Sequence, residues 1–518
     1  MDTASTGQAF PVAVAVAGVV STWLWKTMAR LVWRPYAVAA AFRKQGITGP
    51  AYRLYVGSNG EANAMRAAGR GETLDARCHD IIPRVLPHHR AWMSRHGKVV
   101  VSWNGATPVL VVGDYAMAKQ ILADRTGTYG KIDPGASILA LFGKGLVFLD
   151  GDDWSRHRRV LHPAFAMDKL KTMTTTMAAC ARDVIRTWEA RAEIEVGHQF
   201  HELTADVISH TAFGSSYQQG KEVFVLQREL QAIAMATINS VRFPGSQFIP
   251  TKNNVRRWEL EKKVRGTLMT MIRERQAAVA KEGKGYGNDL LGLMLEANAA
   301  AGDGGGGARS MTIDEIIDEC KTFFFAGHDT TTQLLTWSIF LLGTNPQWQD
   351  HLRDEVLREC GGDSLPDADS LSKLKLMTMV IYETLRLYGP VSQLVTTVTA
   401  DTELAGVRIP KGTMTMIPSA ILHRDVEVWG EDAGEFNPLR FRDGVNKAAA
   451  LAGALLAFSL GHRSCIGQDF AMLEVKATLA VILRRFAFEV SPEYVHAPVD
   501  YITLQPQCGL PVVLKLLD

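Results

Sequence analysis

The stretch that decides how this chain reads is Phe458-Ser459-Leu460-Gly461-His462-Arg463-Ser464-Cys465-Ile466-Gly467, followed by an apolar helical pattern. Thiolates ligate soft or redox-active metals. A lone thiolate suggests a metal that brings its own equatorial ligands, and haem does this. Gly461 and Gly467 would let the backbone turn tightly and approach a flat ring. Phe458 would lie against the ring edge, and Arg463 would pair with a propionate. The N–H groups after Cys465, at a helix start, would stabilise the thiolate charge. The alternative is a buried structural cysteine before a helix, the common state of a single free Cys. A match at every offset of ten residues favours the metal site, because it is far more specific than one short glycine motif.

Phe458, Gly461, Arg463, Cys465 and Gly467 together resemble the haem-binding signature of the cytochrome P-450 superfamily, the haem-thiolate monooxygenases. The resemblance implies a mainly α fold with small β-sheets. It also implies haem b as cofactor with Cys465 as its axial metal ligand, and O2 and NADPH-derived electrons as co-substrates.

Composition agrees with a large enzyme. Of 518 residues, 47% are hydrophobic, ample for a sizeable core, and the net charge of +2 gives no support to nucleic-acid binding. Six cysteines are scattered without a CxxC pair, which fits a reducing compartment rather than a disulfide framework. Residues 9–25 are almost wholly apolar, with Lys26, Arg30 and Arg34 directly after them and Trp23, Trp25 and Trp33 suited to an interface. The run is at the short end for a spanning helix. Basic residues on its C-terminal side predict an uncleaved anchor with the rest of the chain cytosolic; a cleaved signal peptide would carry its charge before the run. The expected organisation is an anchor over 1–33, a linker or hinge over 34–57 and a catalytic domain over 58–518. In the linker Arg43, Lys44, Gly46, Gly49 and Pro50 break any long helix.

Further along, Asn104-Gly105 predicts a hairpin between two β-rich runs in 98–112. Runs near 501–504 and 512–514 read as strands of another sheet, with helices between. The glycine-spaced apolar segment 138–149 lines a pocket or forms core. Trp154 and Arg158 lie four apart, so they share one helix face. An ordinary solvated basic face is the alternative, but the family places this pair against a haem propionate. In 241–250, Phe243, Phe248 and Ile249 form either an interface-dipping loop or an ordinary loop packing inward. The glycines of 281–310 predict a flexible surface connection.

Thr312-Ile313-Asp314-Glu315 is a capping-box start, predicting a long helix to about Leu342. In its middle, Gly327 and the threonine hydroxyls predict a local widening beside a ligand; close packing is the alternative reason for that glycine. Asp329 and Thr330 match the family's acid–alcohol pair, which delivers protons to bound oxygen. A lone helical histidine is usually structural, so His328 receives no role. Glu383 and Arg386 are three apart, an ordinary surface pair in isolation. With Leu387-Tyr388-Gly389-Pro390 and Phe436-Asn437-Pro438-Leu439-Arg440-Phe441, they resemble the family's structural triad, implying that Glu383, Arg386 and Arg440 form a buried network bracing the cysteine loop.

Two departures stand out. Many relatives carry an arginine near Thr396 that grips a haem propionate, so Trp154, Arg158 and Arg463 would hold haem without it. Leu439 stands where glutamate is frequent. Arg34-Pro35, residues 46–50, Phe248-Ile249-Pro250-Thr251 and Leu504-Gln505-Pro506 further resemble a plant clan that includes hydroxylases of cytokinins, brassinosteroids, gibberellins and fatty acids. Ile138, Leu139, Phe142, Phe325, Ala326, Leu394, Val395 and Cys508 are the pocket candidates and imply an apolar small-molecule substrate. With no nucleotide-binding glycine motif after a strand, electrons would come from a separate NADPH-cytochrome reductase, docking near Arg156, Arg159 and Lys447. The expected location is the endoplasmic reticulum membrane, in contact with lipid through a single-pass anchor. The alternatives are a haem-thiolate isomerase or dehydratase, against which the Asp329–Thr330 pair argues, and a non-catalytic membrane-tethered binding protein, against which Cys465, Glu383 and Arg386 argue.

Overall fold

The computed structural model describes residues 6–214, 217–238, 245–282, 285–287, 289–302, 311–361 and 364–517. The chain opens with a helix over Thr6–Met28, a π turn over Ala29–Trp33 and a helix over Arg34–Lys44. The side chains of residues 6–13 and 16, part of the expected anchor, lie outside the described set. Of the others, Val14, Val19, Val20, Trp23, Leu24 and Trp25 are exposed. Among the described residues no helix is long and apolar enough to cross a membrane.

The expected linker is packed down rather than free. The helix ends at Gln45, and Gly46 turns with φ +79°. Phe42 is fully buried, Tyr52 donates to the Leu31 carbonyl (2.6 Å), and Val101 N–H donates to the Thr48 carbonyl (3.1 Å). A Cβ on Gly49 would stand 1.9 Å from the Val101 oxygen, so only glycine permits this approach.

The predicted hairpin is present: Val99–Asn104 pairs antiparallel with Thr107–Val112 across Asn104-Gly105. These two strands begin a five-stranded sheet that continues through Met414–Ile417, Leu394–Val398 and the short Tyr129–Gly130. The far-end strands do not share one sheet as expected. Pro498–Tyr501 and Thr503–Pro506 form their own hairpin, whereas Pro511–Leu516 pairs with Glu193–Glu195 and Phe486–Val490. A periodic run predicts a strand but not its partner, which tertiary packing decides.

Helices make up most of the rest. Ile313–Thr344 runs through the middle, packed against Val196–Phe213, Lys375–Tyr388 and Gln468–Arg485. Its Thr312 cap and Glu315 bond reciprocally, as the capping box predicts. The helix is α throughout, so the expected widening is absent. Gly327 instead serves close packing, since a Cβ there would meet Ile208 Cδ1 at 2.8 Å. The expected flexible connection over 281–310 also needs correction. A helix, Leu290–Gly302, occupies its middle with Leu290, Leu291, Met294 and Leu295 buried. The glycines flank an apolar run whose burial outweighs their preference for coil.

Candidate active site around Cys465

The cysteine loop is a tight excursion before Gln468–Arg485. Gly461–Arg463 forms a 3-10 turn, Ser464 N–H bonds the Gly461 carbonyl (3.1 Å), and Cys465 N–H bonds the Phe458 carbonyl (2.9 Å). Ser459, with φ +60°, carries the strain of the entry. Gly461 has φ +72°, and a Cβ there would lie 2.7 Å from the Leu122 oxygen. The position a Cβ would take therefore faces the 122–123 backbone, which by itself requires glycine here. Gly467 caps the helix, and a Cβ there would meet Cys465 Sγ at 4.0 Å. The Cys465 side chain is exposed. Desolvation by the surrounding protein still pushes its thiol pKa up, opposed by the bond from the Gly467 N–H and by Arg158. Phe458 is half-buried against the main core.

Cations gather beside the loop. Arg158 donates to the Ser464 carbonyl (3.2 Å). Arg463 pairs with Asp150 and donates to the Leu149 carbonyl (2.5 Å). Its guanidinium lies 4.6 Å from the Trp154 ring centroid, and His462 packs edge-on to that ring at 5.2 Å. Arg463 Nη1 is buried without a partner, a cost that an anionic ligand would remove. The donor set Trp154, Arg158 and Arg463, adjoining a thiol at a helix start, fits a haem whose propionates lie at this edge.

The scaffold is built as the resemblance implied. Glu383 and Arg386 are fully buried and pair through two bonds, 2.7 and 2.8 Å. Arg386 also donates to the carbonyls of His423 (2.8 Å), Ala433 (2.6 Å) and Glu435 (2.9 Å). Arg440 stands 3.8 Å from Glu383 and donates to the Trp429 carbonyl (2.5 Å). His423 Nε2 accepts from Leu456 N–H (2.9 Å), two residues before Phe458. The network therefore connects to the chain entering the loop. Such buried pairs hold geometry more surely than they add stability.

Across from the loop, Phe165 lies between Phe323 of Ile313–Thr344 (5.6 Å) and Phe470 of Gln468–Arg485 (6.5 Å). Thr330 is half-buried and donates back to the Ala326 carbonyl (2.7 Å). Asp329 is buried, accepts from the Thr503 hydroxyl (2.6 Å) and titrates at about 6. Burial pushes its carboxyl up, while Thr503, Arg228 and Gln333 pull the other way. Adjacent helical residues do not face each other. Asp329 shares a face with Phe325 and borders a cavity of about 240 Å³ with His201, Arg228 and His328. His328 is a satisfied structural histidine, as expected, bonded to His201 (3.1 Å) and Thr204 (2.8 Å).

Of the pocket candidates, Phe142 and Phe325 meet at 4.4 Å, and Ile138 is buried in the same core with Leu139 beside it. Leu394 and Val395 are half-buried on their strand and Ala326 on its helix. Cys508 does not join them. It is exposed on the turn after Thr503–Pro506, next to Gln507, which binds the buried Arg84 (2.8 Å). Arg156 is likewise not available for docking as expected, since Glu315 (2.5 Å) and Asp153 (3.0 Å) hold its guanidinium. Of the 241–250 loop, residues 241–244 lie outside the described residues, while Phe248 and Ile249 are exposed. Thr503 escaped the sequence reading because nothing local links it to Asp329.

The Cytochrome P450 family model matches residues 85–507. Cytochrome P450 709B3 of Arabidopsis thaliana is 44% identical over 95% of this chain and 96% of its own length. Cytochrome P450 734A6 of Oryza sativa subsp. japonica is 43% identical, over 95% and 93%. Secologanin synthase 2 of Catharanthus roseus is 38% identical, over 98% and 97%. Near full-length similarity of this degree, on a helical fold that delivers one thiol to a cation-lined helix start, leaves one conclusion: the chain belongs to the cytochrome P450 family, among its plant monooxygenases.

Proposed function

We propose that this protein is a membrane-anchored monooxygenase that inserts one atom of O2 into an apolar small molecule, a plant hormone, isoprenoid or fatty acid. NADPH supplies the electrons through a separate reductase. The observation that carries the reading is the braced Cys465 loop with Trp154, Arg158 and Arg463 beside it. Haem b, ligated by the Cys465 thiolate, supplies the oxygen activation. The chain's residues do the rest. Trp154, Arg158 and Arg463 neutralise and orient the propionates. The Gly467 N–H stabilises the thiolate. Asp329, whose carboxyl burial pushes up to about 6, takes up and returns a proton, and Thr330 passes one at its hydroxyl once released from the Ala326 carbonyl. Phe142 and Phe325 keep water from an apolar guest.

The exposed Arg159 and Lys447 contribute to reductase docking. Reversing both charges slows reduction at low salt, and an unchanged rate removes that assignment. The exposed apolar side chains of Thr6–Met28, with Lys26 and Arg30 after them, support anchoring to the endoplasmic reticulum membrane. Deletion of residues 1–33 then releases the protein from microsomes, and persistent sedimentation argues for another attachment.

The carbon monoxide difference spectrum of the reduced, full-length protein is the first test. A strongly red-shifted Soret band establishes haem with Cys465 as thiolate; folded protein without a haem band overturns the reading. Product formation that needs both NADPH and O2 separates a monooxygenase from an isomerase or dehydratase.

A further inference from the structure

The cations beside the Cys465 loop outnumber the acids. Arg463 shares Asp150 and keeps Nη1 buried and unpartnered. Arg158 bonds only the Ser464 carbonyl among the partners described. A third cation, Lys131, is fixed close by: its backbone N–H donates to Asp150 Oδ2 (2.6 Å). Among the described residues no carboxylate lies in ion-pair contact with the Lys131 ammonium, although Asp150 acts on it from a distance. Burial, with the charge of Arg463, pushes the ammonium pKa down to about 8.

Register says where this lysine stands. Tyr129 and Gly130 pair with Val398 and Thr397. Lys131 follows directly on Gly130, whose partner Thr397 is the chain neighbour of Thr396 on the adjoining strand. Tyr129 and Val398 oppose each other and share one face of the sheet. On that face Tyr129 and Val398 pack into the cluster that includes Leu455, Leu456 and Leu460, the segment leading into the cysteine loop. Thr396 itself has no charge to offer, and its hydroxyl is bonded to Thr415 (2.5 Å).

We propose that Lys131 supplies, from the neighbouring strand, the propionate-binding cation that Thr396 lacks. The inference rests on the haem reading above and deepens it. Haem is then held at its carboxylate edge by Trp154, Arg158, Arg463 and Lys131, and the cation has moved across one strand pair without leaving the site.

Haem transfer from the full-length holoprotein to excess apomyoglobin, followed at the Soret band, tests it. Lys131→Met should release haem about tenfold faster, as expected on losing one charge-assisted bond. Lys131→Arg should stay within about twofold of the parent. Lys131→Met combined with Thr396→Arg should recover parental retention, because the second change returns a cation to the adjoining strand. A merely structural lysine would not be rescued by a charge on the opposite strand. If Lys131→Met folds poorly, Lys131→Gln with a near-ultraviolet circular dichroism control replaces it. Unchanged haem release in the folded variants, or release that Thr396→Arg fails to slow, overturns the proposal. A parent protein without any Soret band instead removes the haem reading itself.

Discussion

The two sides of the Cys465 loop are built on opposite principles. Behind it, Glu383 and Arg386 are wholly enclosed, and Arg386 satisfies three backbone carbonyls besides its carboxylate. Across from it, Thr330 is half-buried and bonded only to its own helix among the partners described, and Asp329 is buried but tied by short polar side chains beside a cavity. The first arrangement has one low-energy state. The second has groups that can exchange partners at small cost. A ligating thiol must stay where it is, while protons and substrate must pass, and the hydrogen bonding on the two sides follows that division.

If that contrast is right, the largest effect comes from the enclosed side. Glu383→Ala leaves the Arg386 guanidinium buried and uncompensated, and stability should fall by about 3–5 kcal/mol. Urea unfolding and loss of the Soret band on purification measure it, and near-parental stability would break the comparison. On the open side, Asp329→Asn should lower coupled product formation by about 100-fold or more while leaving the fold intact. The pH dependence sharpens this. The folded pKa, about 6, lies above the ordinary carboxylate value, so the native state binds this proton more tightly than the unfolded chain. The Asp329 contribution therefore becomes less favourable as pH rises from the unfolded pKa, about 4, towards 6, and is constant on either side. Asp329→Asn removes this slope from thermal unfolding.

A smaller effect is expected at the loop entry. Gly461→Ala meets both φ +72° and the Leu122 oxygen, and should cost about 1–3 kcal/mol in denaturant unfolding. Smallest is Gly327→Ala, where better helix propensity opposes a clash with Ile208 Cδ1. A net loss of about 1 kcal/mol is expected, recovered by Ile208→Val, which deletes the clashing carbon. Recovery would show that this glycine serves helix packing; without it, a role in the relay is the better explanation.

Where sequence reasoning failed, the missing information was distant. Arg156 lies in a basic run and reads as a surface charge, yet Glu315 takes it from the start of another helix. Cys508 sits in an apolar-looking turn but is exposed. Leu290–Gly302 was hidden by its flanking glycines. Thr503 meets Asp329, and His201 and Thr204 meet His328, only because tertiary packing brings them together.

What the sequence determined by itself was local chemistry at fixed offsets: the Cys465 loop, the Thr312–Glu315 cap, the Asn104-Gly105 hairpin and the Glu383–Arg386 spacing. Each depends on residues within one turn or loop, where backbone geometry leaves few alternatives. Tertiary structure alone decided which charges remain unpaired, which glycine is needed for packing, and that Lys131 follows a strand paired with the one that carries Thr396. Those outcomes depend on strands and helices far apart in the chain, and burial, rather than spacing, sets the energy of every group placed between them.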